Sequence, residues 1–310
     1  MAGEHERKVH VNQDSAQAAE IIWLNGSFMP LGKACISPLD RGFLYGDGVF
    51  ETMRAEEGRI LCLEAHLARL RRTLSALRIA SNDGSNWGSA ARELLDRNHL
   101  LEDSAAVKIL VTRGVTDSPG LPAPRHPTVC ITVRKYSPPS RDVYRRGWRL
   151  HVFRDGFSPP LAHHKTLNYL YFLQARQAAL QANADEAVVL DPFGRVTETS
   201  AGSLLARTGG SWWIPSSPHK LPGVTVGYIS ELFRLTGMPV LDKECKPSDF
   251  EKAETVWVVN SLMGIMPVRE IDDIHLPQPA EEDASFWRSA YLGKVDHPAN
   301  FHEPSAHNQL

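Results

Sequence analysis

The chain has 310 residues, 42% hydrophobic and 23% charged, which allows one large globular domain or two closely packed smaller ones. A formal net charge of -2 with no basic run argues against a nucleic-acid binder. No apolar stretch approaches the roughly 18–20 residues that cross a bilayer, and Cys35, Cys62, Cys130 and Cys245 form no CxxC pair; they read as reduced thiols of a cytoplasmic protein.

Residues 1–19 are polar and are expected to be a flexible extension, as is the tail 296–310. Ile21–Leu24 and Ser27–Met29 flank Asn25-Gly26, a pair suited to the turn of a β-hairpin. Val49–Arg54 is extended, and Glu57-Gly58 turns it into Arg59–Leu63. Leucines at 63, 67, 70, 74 and 77 then mark one face of a helix from about Glu64. A helix over 87–98 and strands at Ala106–Val111 and Val129–Val133 complete a small α+β domain with an antiparallel sheet, 20–136. Ser137-Pro138-Pro139-Ser140 reads as a linker. The larger domain, 137–295, begins with a strand at Arg149–Val152 and a helix at Asn168–Gln181. Glu186–Leu190, Arg195–Glu198, Ser203–Ala206 and Trp212–Ile214 look like a second meander. A helix over 224–236 follows, then strands near Val240–Leu241, Thr255–Val259 and Met266–Arg269.

Within this frame two residues carry the chemistry. Lys165 is expected where a strand gives way to a helix; burial there lowers an amine's pKa and lets it form a Schiff base with an aldehyde cofactor. Glu198 ends a hairpin, where a part-buried carboxylate can hold the proton of a pyridine nitrogen. With the glycine-rich Gly42–Glu51 they point to pyridoxal 5'-phosphate (PLP). Singly each is weak, because lysine and glutamate are mostly solvent-facing. A phosphate needs cations and free amides, which Arg69 and the helix start at Gly223-Val224-Thr225 can supply. Gly46-x-Gly48 has Glu51 where a dinucleotide loop has its third glycine. His163-His164 is no metal pair, since neighbours on a strand point to opposite faces.

These residues are similar to those of class IV (fold-type IV) PLP enzymes, the group of branched-chain and D-amino acid aminotransferases and aminodeoxychorismate lyase. The resemblance covers about 21–272. It rests on Asp40-Arg41-Gly42-Phe43-Leu44-Tyr45-Gly46-Asp47-Gly48-Val49-Phe50-Glu51, His66–Leu70, Lys165–Leu170, Asp185-Glu186-Ala187, Val196-Thr197-Glu198 and Leu221–Thr225. It implies a two-domain α+β fold like D-amino acid aminotransferase, with a β-barrel-like larger domain, and a homodimer. It makes Lys165 the Schiff-base lysine and Glu198 the ring-nitrogen partner. Arg69, Val224, Thr225, Ser261 and Leu262 would hold the phosphate. Tyr169, offset by one residue from the family's position, would touch the cofactor's phenolic oxygen. Thr199 and Ser203 replace the family's glycine and asparagine.

Asn260-Ser261-Leu262-Met263 with Met266-Pro267-Val268 most resembles the lyases, and Val111-Thr112-Arg113-Gly114 is shared by lyases and D-amino acid enzymes. The D-amino acid enzymes' Pro-Arg-x-His clamp is absent at its usual spacing, and Pro124-Arg125-His126 comes later. The implied activity is therefore 4-amino-4-deoxychorismate lyase, releasing 4-aminobenzoate and pyruvate, with Phe50, Arg113 and Asn260 facing the substrate. The alternative is an aminotransferase for branched-chain or D-amino acids with 2-oxoglutarate.

Overall fold

The computed structural model describes residues 20–80, 86–116, 120, 126–277 and 281–293. The segments expected to be flexible, 1–19 and 296–310, lie outside these, as do Pro124 and Arg125. The described chain divides into two compact units. One runs through Leu63 and resumes with Arg69–Ser137; the other holds Glu64–Ala68 and everything from Pro138.

The first unit is a six-stranded antiparallel sheet in the order β2-β1-β6-β5-β3-β4. Its strands are β1 (Ile21–Leu24), β2 (Ser27–Pro30), β3 (Gly48–Glu56), β4 (Arg59–Ile60), β5 (Ser104–Thr112) and β6 (Thr128–Lys135). The β1–β2 hairpin turns as the sequence predicts, with Asn25 at φ 48° and Gly26 at φ 98°. Alternation then sorts the faces of the long strands. Val49, Met53, Val107, Ile109, Val111, Ile131 and Val133 are buried, while Thr52, Lys108 and Thr132 share one row across the opposite face. Helix α1 (Arg41–Tyr45) is a single turn capped by Asp40, which accepts from the Gly42 amide. The leucine periodicity becomes α2 (Leu63–Ala76), burying Leu63, Leu67, Leu70 and Leu74. Helix α3 (Trp87–Arg97) lies on β1 and β6 and buries Trp87, Ala91, Leu94 and Leu95.

The second unit is a nine-stranded sheet that curls into a half-barrel. Its strands are β7 (Trp148–Val152), β8 (Glu186–Leu190), β9 (Val196–Thr199), β10 (Ser203–Thr208), β11 (Ser211–Pro215), β12 (Val240–Lys243), β13 (Thr255–Asn260), β14 (Gly264–Ile271) and β15 (Ile274–His275). The order is β12-β11-β10-β13-β14-β7-β8-β9, with β15 beside β14. The β11–β12, β14–β7 and β7–β8 pairs are parallel. Four successive strands therefore do not form the expected meander. The β8–β9 and β10–β11 hairpins are separated in the sheet by β13, β14 and β7, and curvature returns β9 to β10, where the Thr199 amide donates to the Gly202 carbonyl at 2.8 Å. Leu150, Val152, Val188, Val196, Val258, Met266 and Phe250 fill the core on one face. On the other, Ala175 and Ala179 of α5 (Leu170–Gln181) sit with Ala187 and Val189.

Three α-helices among the described residues escape the sequence reading, the single turn α1 and two in the second unit. The linker residue Ser140 caps α4 (Arg141–Arg146), whose one fully buried side chain is Tyr144, with Val143 partly buried against the same core; six residues are too few to show a helical period. After β15 the chain also continues into α7 (Glu281–Tyr291), where Ala284 and Tyr291 are buried. The Tyr144 hydroxyl donates to the Met263 carbonyl at 2.7 Å inside the second unit. Tyr144→Phe leaves that carbonyl without this donor, and the expected loss is about 1–3 kcal/mol, read from the denaturant midpoint.

Candidate active site

Lys165 does not end a ladder strand. It follows β7 by a stretch of turns, stands beside the isolated bridge residue Thr166, and precedes α5. It is half-buried, and its Nζ lies 5.8 Å from the centre of the Tyr169 ring. That tyrosine's hydroxyl donates to the Ser200 carbonyl at 2.7 Å. Burial first, then the charges of Glu198 and Glu186, hold its pKa well above that of an ordinary phenol, so Tyr169 keeps its proton.

Glu198 sits opposite Val189 in the β8–β9 ladder and is 6% exposed. Its Oε1 accepts from the Leu221 amide at 3.1 Å. Adjacent to Leu221 is Lys220, which the sequence reading passed over. The Lys220 ammonium donates to the Pro215 carbonyl and lies 3.8 Å from Asp242. Burial lowers its pKa, while Asp242 and Glu198 work in the opposite direction. Only its position beside a Leu-Pro-Gly turn marks it in sequence.

Leu221 leads into α6 (Val224–Leu235), whose N-cap is Gly223. A glycine brings no acceptor, so no N-cap side chain occupies the first amides of this twelve-residue helix. Nor is there room for one: a Cβ at Gly223 would meet Ser203 Oγ at 2.4 Å. Val224 and Thr225 are both buried there. A bare, positively polarised helix start with a threonine hydroxyl fits a phosphate. Within the same unit, Lys165 offers an amine for an aldehyde and Glu198 a carboxylate for a ring nitrogen. The donor set therefore fits PLP.

Ser261 and Leu262 lie in the turn joining β13 to β14. Asn260 builds this turn: its Oδ1 accepts from the amides of Leu262 (3.1 Å) and Met263 (2.9 Å), and its Nδ2 donates to the Ala201 carbonyl at 3.2 Å.

In the first unit, Arg69 makes a two-pronged pair with buried Glu51, Nε to Oε1 and Nη2 to Oε2, both at 2.7 Å. Phe50 is half-buried, with the exposed ammonium of Lys108 5.0 Å from its ring centre. Arg113 is 5% exposed and donates to both oxygens of Asp47 and to the carbonyls of Leu77 and Arg78. Arg41 also donates to Asp47, at 2.8 Å.

Residues 48–271 match the profile of the amino-transferase class IV family, so the chain belongs to that family of PLP-dependent enzymes. It is 28% identical to aminodeoxychorismate lyase of Bacillus subtilis (strain 168) over 285 residues, spanning 89% of this chain and 94% of that protein. It is 31% identical to a putative branched-chain-amino-acid aminotransferase of Methanocaldococcus jannaschii over 259 residues, 81% and 88% of the two chains. Among solved structures it is similar to the T.th. branched-chain amino acid aminotransferase with pyridoxamine 5'-phosphate, at TM-score 0.80 and 25% identity, covering 88% of this chain and 93% of that one.

The Asp47 cluster has a measurable acid dependence. Burial pushes its carboxyl up, but hydrogen bonds and charge from Arg113 and Arg41 together outweigh this and hold it below the ordinary value. Its contribution is therefore complete above the unfolded pKa of about 3.9 and is lost as pH falls through the lower folded value. Asp47→Asn removes the carboxylate shared by two buried guanidiniums. The expected cost is about 3–5 kcal/mol at neutral pH, with this part of the acid dependence absent, as read by denaturation across pH.

Proposed function

We propose that this enzyme is a 4-amino-4-deoxychorismate lyase, cleaving its substrate to 4-aminobenzoate and pyruvate as a cytoplasmic homodimer. The observation that carries the proposal is the β13–β14 turn. Its Asn260-Ser261-Leu262-Met263 sequence resembles that of the lyases, and its asparagine is committed to holding the turn. Lys108 supports it: an exposed ammonium beside Phe50 suits a substrate that carries two carboxylates. The second reading, an aminotransferase for branched-chain or D-amino acids with 2-oxoglutarate, is favoured by the identity to the archaeal relative.

When bound, PLP supplies an electron sink for charge left on the substrate carbon. Lys165 is proposed to hold the cofactor and, once the substrate amine has displaced it, to take the proton from the carbon bearing that amine. Glu198 is proposed to hold the proton on the ring nitrogen, its Oε1 oriented by the Leu221 amide. Val224, Thr225, Arg69, Ser261 and Leu262 are the proposed phosphate group, and Tyr169 the neighbour of the phenolic oxygen. Phe50, Arg113 and Asn260 are the proposed substrate contacts. The homodimer is supported by the apolar surface around α1, where Leu39, Phe43 and Tyr45 are 62%, 77% and 59% exposed.

PLP-loaded protein given aminodeoxychorismate should release 4-aminobenzoate and pyruvate in equal amounts, with no turnover by Lys165→Ala. Conversion of the cofactor to its pyridoxamine form by an amino acid, without 4-aminobenzoate, establishes the aminotransferase instead. Light scattering should give twice the chain mass for the wild type and a single chain mass for Phe43→Glu.

A further inference from the structure

Asp185 precedes β8 and Glu186 opens it, and their carboxylates act differently. Asp185 accepts from the Arg149 amide and from Arg146, both at 2.8 Å, at the surface. Glu186 is 3% exposed. Its Oε1 accepts from Ser200 Oγ at 2.5 Å and from the Ala187 amide at 2.7 Å. Its Oε2 lies 3.2 Å from Arg176 on α5. Ser200, two residues past Glu198, is thereby held twice, since its amide also donates to the Ala187 carbonyl at 3.0 Å. The Ser200 carbonyl accepts the Tyr169 hydroxyl, and the Tyr169 ring faces Lys165 Nζ. The contacts run without a break from Arg176 through Glu186, Ser200 and Tyr169 to Lys165.

We infer that Glu186 is a positioning residue for Lys165, acting through Ser200 and the Tyr169 hydroxyl; this rests on Lys165 being the lysine that binds the cofactor. A buried carboxylate is costly, and an apolar side chain would serve packing alone as well or better. What the carboxylate adds is direction. It fixes a serine whose carbonyl accepts the hydrogen bond donated by the Tyr169 hydroxyl, and this holds the ring face toward the lysine nitrogen. A ring face at that range favours the positively charged form of the nitrogen. Loosening the anchor lets the ring turn away, and the pKa of the nitrogen falls.

The test uses full-length, PLP-loaded protein and follows the absorbance of the lysine-bound cofactor across pH. Wild type is compared with Glu186→Leu, Glu186→Gln, Ser200→Ala, Tyr169→Phe and the Glu186→Leu/Tyr169→Phe pair. Glu186→Leu and Tyr169→Phe should each lower the transition by about half a pH unit or more. The double variant should move no further than Tyr169→Phe, because both changes break one chain of contacts. Glu186→Gln retains an acceptor for Ser200 and Ala187 and should restore most of the wild-type position. Where Glu186→Leu does not fold, Ser200→Ala, which removes a single hydroxyl, should show the downward shift. A wild-type transition in folded Glu186→Leu or Ser200→Ala overturns the inference, and so do additive shifts in the double variant. A wild-type absorbance that persists in Lys165→Ala overturns the lysine assignment itself, whatever Glu186 does.

Discussion

A carboxylate taken out of water costs several kcal/mol even after its surroundings relax, so it persists only where a cation or amides meet it. That constraint organises both units of this chain. In the first, Glu51 is matched by Arg69 and Asp47 by two arginines, while Asp40 collects the hydroxyls of Thr112 and Thr128 and the Gly42 amide. In the second, Glu186 takes Ser200, Ala187 and Arg176, and Glu198 takes the Leu221 amide. Each arrangement ties together segments remote in sequence. The surroundings of Glu198 follow from these ties, because Glu198 and Ser200 lie on one short stretch that the segments carrying Leu221 and Tyr169 approach.

The glycine-rich motif near the chain start illustrates how chemistry and scaffolding share residues. Its acidic and basic members are engaged with one another and with β5 and β6 rather than left open to solvent. Arg113 is a case of the same kind: most of its N–H groups go to Asp47 and two helix-end carbonyls. A sequence reader sees an arginine beside a glycine and imagines a substrate clamp. The structure adds that such a guanidinium first holds the strand end in place.

What could be read in advance was local. The Asn-Gly turn, the leucine face of α2 and the alternation of β3, β5 and β6 each follow from a short-range period, and the structure contains them. The class of cofactor was readable too, from the lysine, the glutamate and the glycine-rich motif taken together, and the family match agrees with it. The sheet order of the second unit was not readable, because parallel pairing of β7 with β8 and β14 leaves no mark near those strands. Helix α4 was hidden by its length, six residues with Val143 and Tyr144 alone turned to the core. Lys165 was misplaced because its loop contains apolar residues that resemble the end of a strand. Glu186 stood in a recognised motif without a role, since its partners Arg176 and Ser200 meet it only after folding.

The parallel β14–β7 ladder has a further consequence, for how the protein is made. Trp148–Leu150 pairs with Val268–Ile271, near the far end of the described chain. Pairings this distant in sequence are slow to form because the intervening chain must be ordered first. On the ribosome, β7–β8–β9 and β10–β11 can assemble as separate pieces, but the half-barrel lacks its central seam until β14 has emerged. The surroundings of Lys165 and Glu198 are therefore completed late in synthesis, and until then the apolar inner faces of both pieces are open to water and to the wrong partners.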